Sequence, residues 1–124
     1  MLKILIVDDS IFSQKVVANL LKKFMDDIEI SFANDGEQGF IKYKDLKPDY
    51  VFLDLLMPKI NGQELIYLLK NFDSEAKLIV VSADVQKSIR EDIEKYNIIE
   101  FINKPFTEEK AQHICSLIKE SANE

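Results

Sequence analysis

The sequence predicts an open, doubly wound α/β domain: a single five-stranded parallel sheet with five helices. Three observations carry this. Five short apolar runs alternate with longer amphipathic stretches. The first, third and fourth runs are almost unbroken Val, Ile, Leu and Phe, the pattern of strands buried on both faces of a parallel sheet. The stretches between the runs repeat their apolar residues at steps of three and four, the helical period.

Taken in order, the runs are Leu2 to Val7, Ile28 to Ala33, Tyr50 to Leu53, Leu78 to Val81 and Ile98 to Ile102. The second alternates, Ile28, Ile30 and Phe32 against Glu29 and Ser31, and reads as an edge strand. The first helix is expected over Ile11 to Met25, on the stripe Val16, Val17, Leu20, Leu21 and Phe24. Leu65, Leu68, Leu69 and Phe72 form a second stripe, and Ala111, Ile114, Cys115 and Ile118 another. The segment Val85 to Tyr96 has a thinner one, Val85, Ile89 and Ile93, so its helix is the least firmly anchored. Ser10, Asp35, Asp84 and Thr107 stand where side-chain N-caps belong. Glu108 and Glu109 put negative charge in a first turn, where the helix dipole favours it. With no internal repeat or low-complexity stretch, residues 1–124 read as one domain.

An apolar fraction of 47% suits a globular core, and only three Gly and three Pro leave little room for linkers. The net charge of −6 disfavours broad electrostatic binding to nucleic acid or to an anionic membrane. No signal peptide and no membrane-spanning run is evident, and the single cysteine, Cys115, fits a reducing, cytoplasmic setting. Cys115 reads as a core thiol and His113 as a surface residue.

In open parallel sheets, ligands bind beyond the carboxyl ends of the strands. There the sequence places Asp8-Asp9 after the first strand, Asp54 after the third, Ser82 after the fourth and Lys104-Pro105 after the fifth. Close carboxylates repel, by about 4 kcal/mol per pair at a separation of about 4 Å and an effective dielectric of about 20. A hard divalent cation such as Mg²⁺ relieves that repulsion through oxygen ligands. A cation, an ammonium and a hydroxyl around one carboxylate suit phosphoryl transfer, with that carboxylate as the nucleophile. Singly, each residue has a plainer reading: Asp8, Asp9 and Asp54 as turn formers, Ser82 as a loop hydroxyl, Lys104 as a solvated lysine. Their coincidence at consecutive strand ends favours the chemical one.

At these residues the chain resembles the receiver domain of two-component response regulators over essentially its whole length. The matching segments are Ile4-Leu5-Ile6-Val7-Asp8-Asp9-Ser10, Asp54-Leu55-Leu56-Met57-Pro58 with Gly62, Ser82-Ala83, and Phe101-Ile102-Asn103-Lys104-Pro105-Phe106. The resemblance implies a flavodoxin-like sheet of strand order 2-1-3-4-5 and a cis Lys104-Pro105 bond. It implies that Asp54 accepts phosphate from a histidine kinase or phosphotransfer protein, and that the protein is no enzyme beyond its own phosphorylation and dephosphorylation. Mg²⁺ would be held by Asp9, by Asp54, by the Leu56 backbone carbonyl and, through water, by Asp8. Ser82 and Lys104 would bind the phosphoryl group. Ser82 and Phe101 would form a switch reshaping the surface of the fourth helix, fifth strand and fifth helix. The expected partners are the kinase and a downstream target or phosphatase, with no nucleic acid or membrane, the protein being a monomer or a phosphorylation-dependent dimer. Helix one is the usual kinase-facing surface of the family. The stretch Ser82-Ala83-Asp84-Val85-Gln86 resembles stand-alone receivers linked to chemotaxis-type phosphatases, and no effector domain is expected.

Two departures stand out. Phe101 occupies a position where Tyr is frequent, so no phenol is available. Leu56 is apolar beside the acceptor, and with Asp84 it lies where the family tunes self-dephosphorylation. The main alternative is a constitutive protein-binding module with a receiver fold and no phosphorylation cycle. A nucleotide- or flavin-binding domain would need a phosphate-cradling loop after the first strand, where Asp8-Asp9 repels phosphate and which Gly36 and Gly39 do not supply. An aspartyl-phosphate hydrolase would need an acid at position 56.

Overall fold

Successive side chains of a strand point to opposite faces of its sheet, so strands that are apolar at every position need cover on both sides. The computed structural model, which describes residues 1–83 and 85–122, supplies that cover. Its strands are β1 (Leu2–Val7), β2 (Ile28–Ala33), β3 (Tyr50–Leu53), β4 (Leu78–Ser82) and β5 (Glu100–Asn103). They alternate with α1 (Ile11–Phe24), α2 (Gly36–Leu46), α3 (Gly62–Phe72), α4 (Lys87–Glu94) and α5 (Glu108–Ala122). All pairings are parallel and the order is β2-β1-β3-β4-β5.

Right-handed crossovers then assign the helices to faces. The step from β1 to β2 runs one way along the sheet, and every later step runs the other way. Ile4, Ile6, Tyr50, Phe52, Ile79 and Val81 accordingly pack with residues of α1 and α5. Leu5, Val7, Val51, Leu53, Leu78 and Val80 pack with residues of α2, α3 and α4. The alternating β2 is an edge strand, as its pattern predicts, and its apolar residues Ile28, Ile30 and Phe32 are half-buried.

The helix caps follow local chemistry. The side chains of Ser10, Asp35 and Thr107 accept from the backbone N–H of Ser13, Gln38 and Lys110. Asn61, which the sequence reading passed over, caps α3 through the Glu64 N–H at 2.9 Å. The expected cap at Asp84 lies outside the described residues.

Four elements differ from expectation at their boundaries. The fourth helix, expected from Val85 to Tyr96, spans Lys87–Glu94: Gln86 is extended, with no side-chain cap bond. At its end, the N–H groups of Lys95, Tyr96 and Asn97 bond only three residues back, and Asn97 is left-handed at φ 56°. That turn consumes Ile98 and Ile99, so β5 begins at Glu100, two residues later than the apolar run, and its pairing opens with Ile79 beside Glu100. β4 reaches one residue further than expected, because Ser82 still pairs with Asn103. α1 ends at Phe24, with Met25 as an extended C-cap.

Close approach dictates two glycines near the strand ends. A Cβ on Gly36 would lie 2.1 Å from the Ile60 carbonyl oxygen, and one on Gly62 would lie 2.4 Å from that of Asp54. One on Gly39 would meet only side-chain atoms, Val7 at 3.0 Å and Leu65 at 3.3 Å. Gly36→Ala is therefore expected to cost about 2 kcal/mol of stability and Gly39→Ala about half that, by urea denaturation, since backbone cannot yield as side chains do.

Candidate functional site

The three carboxylates come together at the carboxyl ends of β1 and β3, where the strand order reverses. Two ladder bonds set their depth: the Asp8 N–H donates to the Ala33 carbonyl at 3.1 Å, and the Asp54 N–H to that of Val7 at 3.0 Å. Carboxylate oxygens of Asp8, Asp9 and Asp54 lie within 4.8 Å of one another. Asp8 and Asp54 are buried, and Asp9 is exposed.

Each buried carboxylate is held on both oxygens. Asp54 Oδ1 accepts from Ser82 Oγ at 2.6 Å and from the Leu56 N–H at 3.2 Å, while Oδ2 accepts from Lys104 Nζ at 3.0 Å. Asp8 Oδ1 accepts from the Ser10 N–H at 2.9 Å, and Oδ2 from Lys104 Nζ at 3.1 Å. Lys104 thus bridges two of the three acids. β5 delivers it: the Lys104 N–H donates to the Ser82 carbonyl at 2.8 Å, and the bond to Pro105 is cis, as expected. Burial pulls the lysine pKa down, but the hydrogen bonds and charges of Asp54 and Asp8 outweigh it, and the net shift is upward. A raised lysine contributes stability that is complete below about pH 10 and is lost only as pH climbs through the higher folded value. The bridge is therefore charged throughout the neutral range.

The loop after β3 is pinned beside this cluster. The Gly62 N–H donates to the Leu55 carbonyl at 3.0 Å, and Lys59, left-handed at φ 64°, pairs with Asp35 at 3.6 Å. Leu56, two residues after Asp54, is largely exposed, as are Ile11 and Phe12 on α1. Phe101 is half-buried against the α2–α3–α4 side of the sheet, with the Arg90 guanidinium 4.5 Å from its ring centre. All the residues singled out at the strand ends, Asp8, Asp9, Asp54, Ser82 and Lys104, do converge. His113 is exposed on α5, and Cys115 is buried, which pushes its thiol up to about 11.

One residue at the site was missed. Gln14 is 5% exposed, and its amide donates to the Asp8 carbonyl at 2.7 Å, to Asn34 Oδ1 at 2.7 Å and to the Ala33 carbonyl at 3.4 Å. The available signal was its place on the buried stripe of α1 with Val17, Ala18 and Leu21.

The response regulator receiver domain model matches residues 4–116. The chain belongs to this family. Curated relatives include the chemotaxis protein CheY of Listeria monocytogenes, 37% identical over 98% of this chain and 99% of that one. CheY of Bacillus subtilis is 32% identical over 98% of both chains. Among solved structures, the CheX–CheY–BeF3–Mg²⁺ complex from Borrelia burgdorferi matches with a TM-score of 0.85 and 32% identity, over 94% of this chain and 89% of that one. This receiver is CheY-like in sequence and fold and is not a conventional enzyme. Its acidic triad is able to hold a metal ion, and no helix among the described residues is long and apolar enough to cross a membrane.

The donor set fits a hard divalent cation: three carboxylates and no sulfur or imidazole. Lys104 carries the compensating charge when no cation is bound, so Lys104→Met leaves Asp8 and Asp54 unbalanced. Its unfolding free energy in EDTA is expected to fall by about 2 kcal/mol, less than for a fully buried pair because part of the lysine reaches solvent. Urea denaturation repeated with MgCl₂ is expected to recover most of that loss.

Proposed function

We propose that residues 1–124 act as one phospho-acceptor unit of a two-component phosphorelay, with Asp54 as the acceptor. One observation carries this reading: a buried carboxylate bonded to a hydroxyl and an ammonium, with two further acids in reach of the same cation. Asp9, Asp54 and the Leu56 carbonyl would hold Mg²⁺ directly and Asp8 through water, and the bound cation would neutralise charge on the phosphoryl oxygens. An Asp54 oxygen attacks phosphorus as the nitrogen–phosphorus bond of a phosphohistidine breaks, and the imidazole leaves with the electron pair. Lys104 pairs with the phosphoryl oxygens, and the Ser82 hydroxyl turns from Asp54 to donate to them. Such donors act by stabilising developing charge, which is most of what phosphoryl transfer needs.

Movement of Ser82 is proposed to draw Phe101 inward. Val80, two residues before Ser82, sits beside Phe101 in the sheet. The ring is half-buried, with the Arg90 guanidinium 4.5 Å from its centre, and the proposed movement uses ring position alone, there being no phenol to hydrogen-bond. The output surface is α4–β5–α5, where a groove runs along Phe101, Thr107, Glu109 and His113. The upstream partner is a histidine kinase or phosphotransfer protein, and the downstream one a protein target or phosphatase, in the cytoplasm. The protein itself works as a monomer or as a phosphorylation-dependent dimer, without nucleic acid or membrane.

Incubation with acetyl phosphate and MgCl₂ is expected to add one phosphoryl mass, by intact mass spectrometry. The adduct should be absent in EDTA and in Asp54→Asn. An undiminished adduct in Asp54→Asn would move the acceptor elsewhere, and no adduct at all would leave a receiver-shaped binding module.

A further inference from the structure

We infer that Gln14 is a positioning residue that orients Asp9 for the cation. The inference rests on the cation site proposed above and adds a group to it that lies outside the acidic cluster and touches neither cation nor phosphoryl group.

The three acids are not held alike. Asp8 and Asp54 each have both carboxylate oxygens in hydrogen bonds. Asp9 is exposed, and among the described residues its carboxylate makes no hydrogen bond or ion pair. The backbone is therefore what constrains where that side chain starts. The peptide joining Asp8 to Asp9 is planar, so the direction of the Asp8 carbonyl fixes the Asp9 N–H and the approach to its Cα. That carbonyl lies one residue past the end of β1, and Gln14 holds it at 2.7 Å.

Gln14 can do this because it is itself immobilised. A side-chain amide has two N–H donors. Two short bonds use them, to the Asp8 carbonyl and to Asn34 Oδ1, and the Ala33 carbonyl at 3.4 Å lies alongside. The first turn of α1 is thereby tied to the loops after β1 and β2. Asn34 is fixed in turn, its N–H donating to Gln38 at 3.0 Å. Next to it, Asp35 pairs with Lys59 on the loop that follows Asp54. Gln14 thus adds a second connection, beside the Lys104 bridge, between the loop bearing Asp9 and the loop that follows Asp54. Outer groups that fix the direction of a metal ligand are commonly worth about 10- to 100-fold in metal affinity.

The test is a MgCl₂ titration followed by amide chemical shifts on four proteins: wild type, Gln14→Met, Asp9→Asn and the double variant. Met keeps volume and helix propensity and removes both donors. Gln14→Met is expected to weaken Mg²⁺ binding about tenfold while leaving binding to Asp9→Asn unchanged, because the amide acts through Asp9. A general loosening of the site would instead cost the same factor on both backgrounds, and that result overturns the inference, as does a wild-type dissociation constant for Gln14→Met. Asn34→Ala, at an exposed position, removes the acceptor on the amide's other N–H and should weaken binding in the same direction by a smaller factor. Should Gln14→Met fail to fold, Asn34→Ala decides, and an unchanged constant there overturns the inference. Absence of Mg²⁺ binding in the wild type would instead sink the proposed cation site, and the role of Gln14 with it.

Discussion

Asp8, Asp9 and Asp54 bring oxygen atoms within 4.8 Å of one another, and everything around them serves to contain that repulsion. Isolated buried carboxylates would take up protons or force the loops apart. Here the two buried acids share one ammonium, two backbone N–H groups and a hydroxyl. Among the described residues, no buried side-chain nitrogen or oxygen lacks a partner. The two buried acids are thus fully partnered by protein groups. Lys104 and Ser82, which both bond Asp54, are the groups proposed above to turn to the phosphoryl group.

The scaffold makes such a site possible by being stiff where the acids emerge. β1 and β3 are flanked by other strands and covered on both faces, so their ends cannot splay. Gly36 and Gly62 let neighbouring loop backbone approach to distances that a methyl group would forbid. The mobile part of the proposed mechanism lies elsewhere. α4 has eight residues, one of them fully buried, and no side-chain cap bond. Thin anchoring of that kind lowers the cost of a shift.

The fold was legible because the strongest signals are short-range and agree with each other. β1, β2 and β3 match their apolar runs residue for residue, each run ending at a charged or amide residue. β5 was misplaced because Ile98 and Ile99 look like strand residues, while the left-handed Asn97 that spends them on a turn leaves little mark in hydropathy. The over-long α4 has the same origin: its stripe runs past both ends of the hydrogen-bonded helix. The strand-end acids, hydroxyl and lysine could be read because each type has its own chemistry. Gln14 could not be read so easily. A neutral amide on a helix carries no chemical signature until its partners are seen, and those lie up to 20 residues away.

In the proposed mechanism, chemistry at Asp54 and the shape of the α4–β5–α5 surface are one equilibrium, with Phe101 as the link. A ligand shifts such an equilibrium only through its different affinity for the two states. The most direct measurement is the two-dimensional amide spectrum with and without beryllofluoride and MgCl₂, a tetrahedral stand-in for the phosphoryl group. Shifts are expected to begin around Asp54 and Ser82 and to extend through Phe101 into α4. Shifts confined to the strand ends, with Phe101 and α4 unmoved under saturating beryllofluoride, would contradict it.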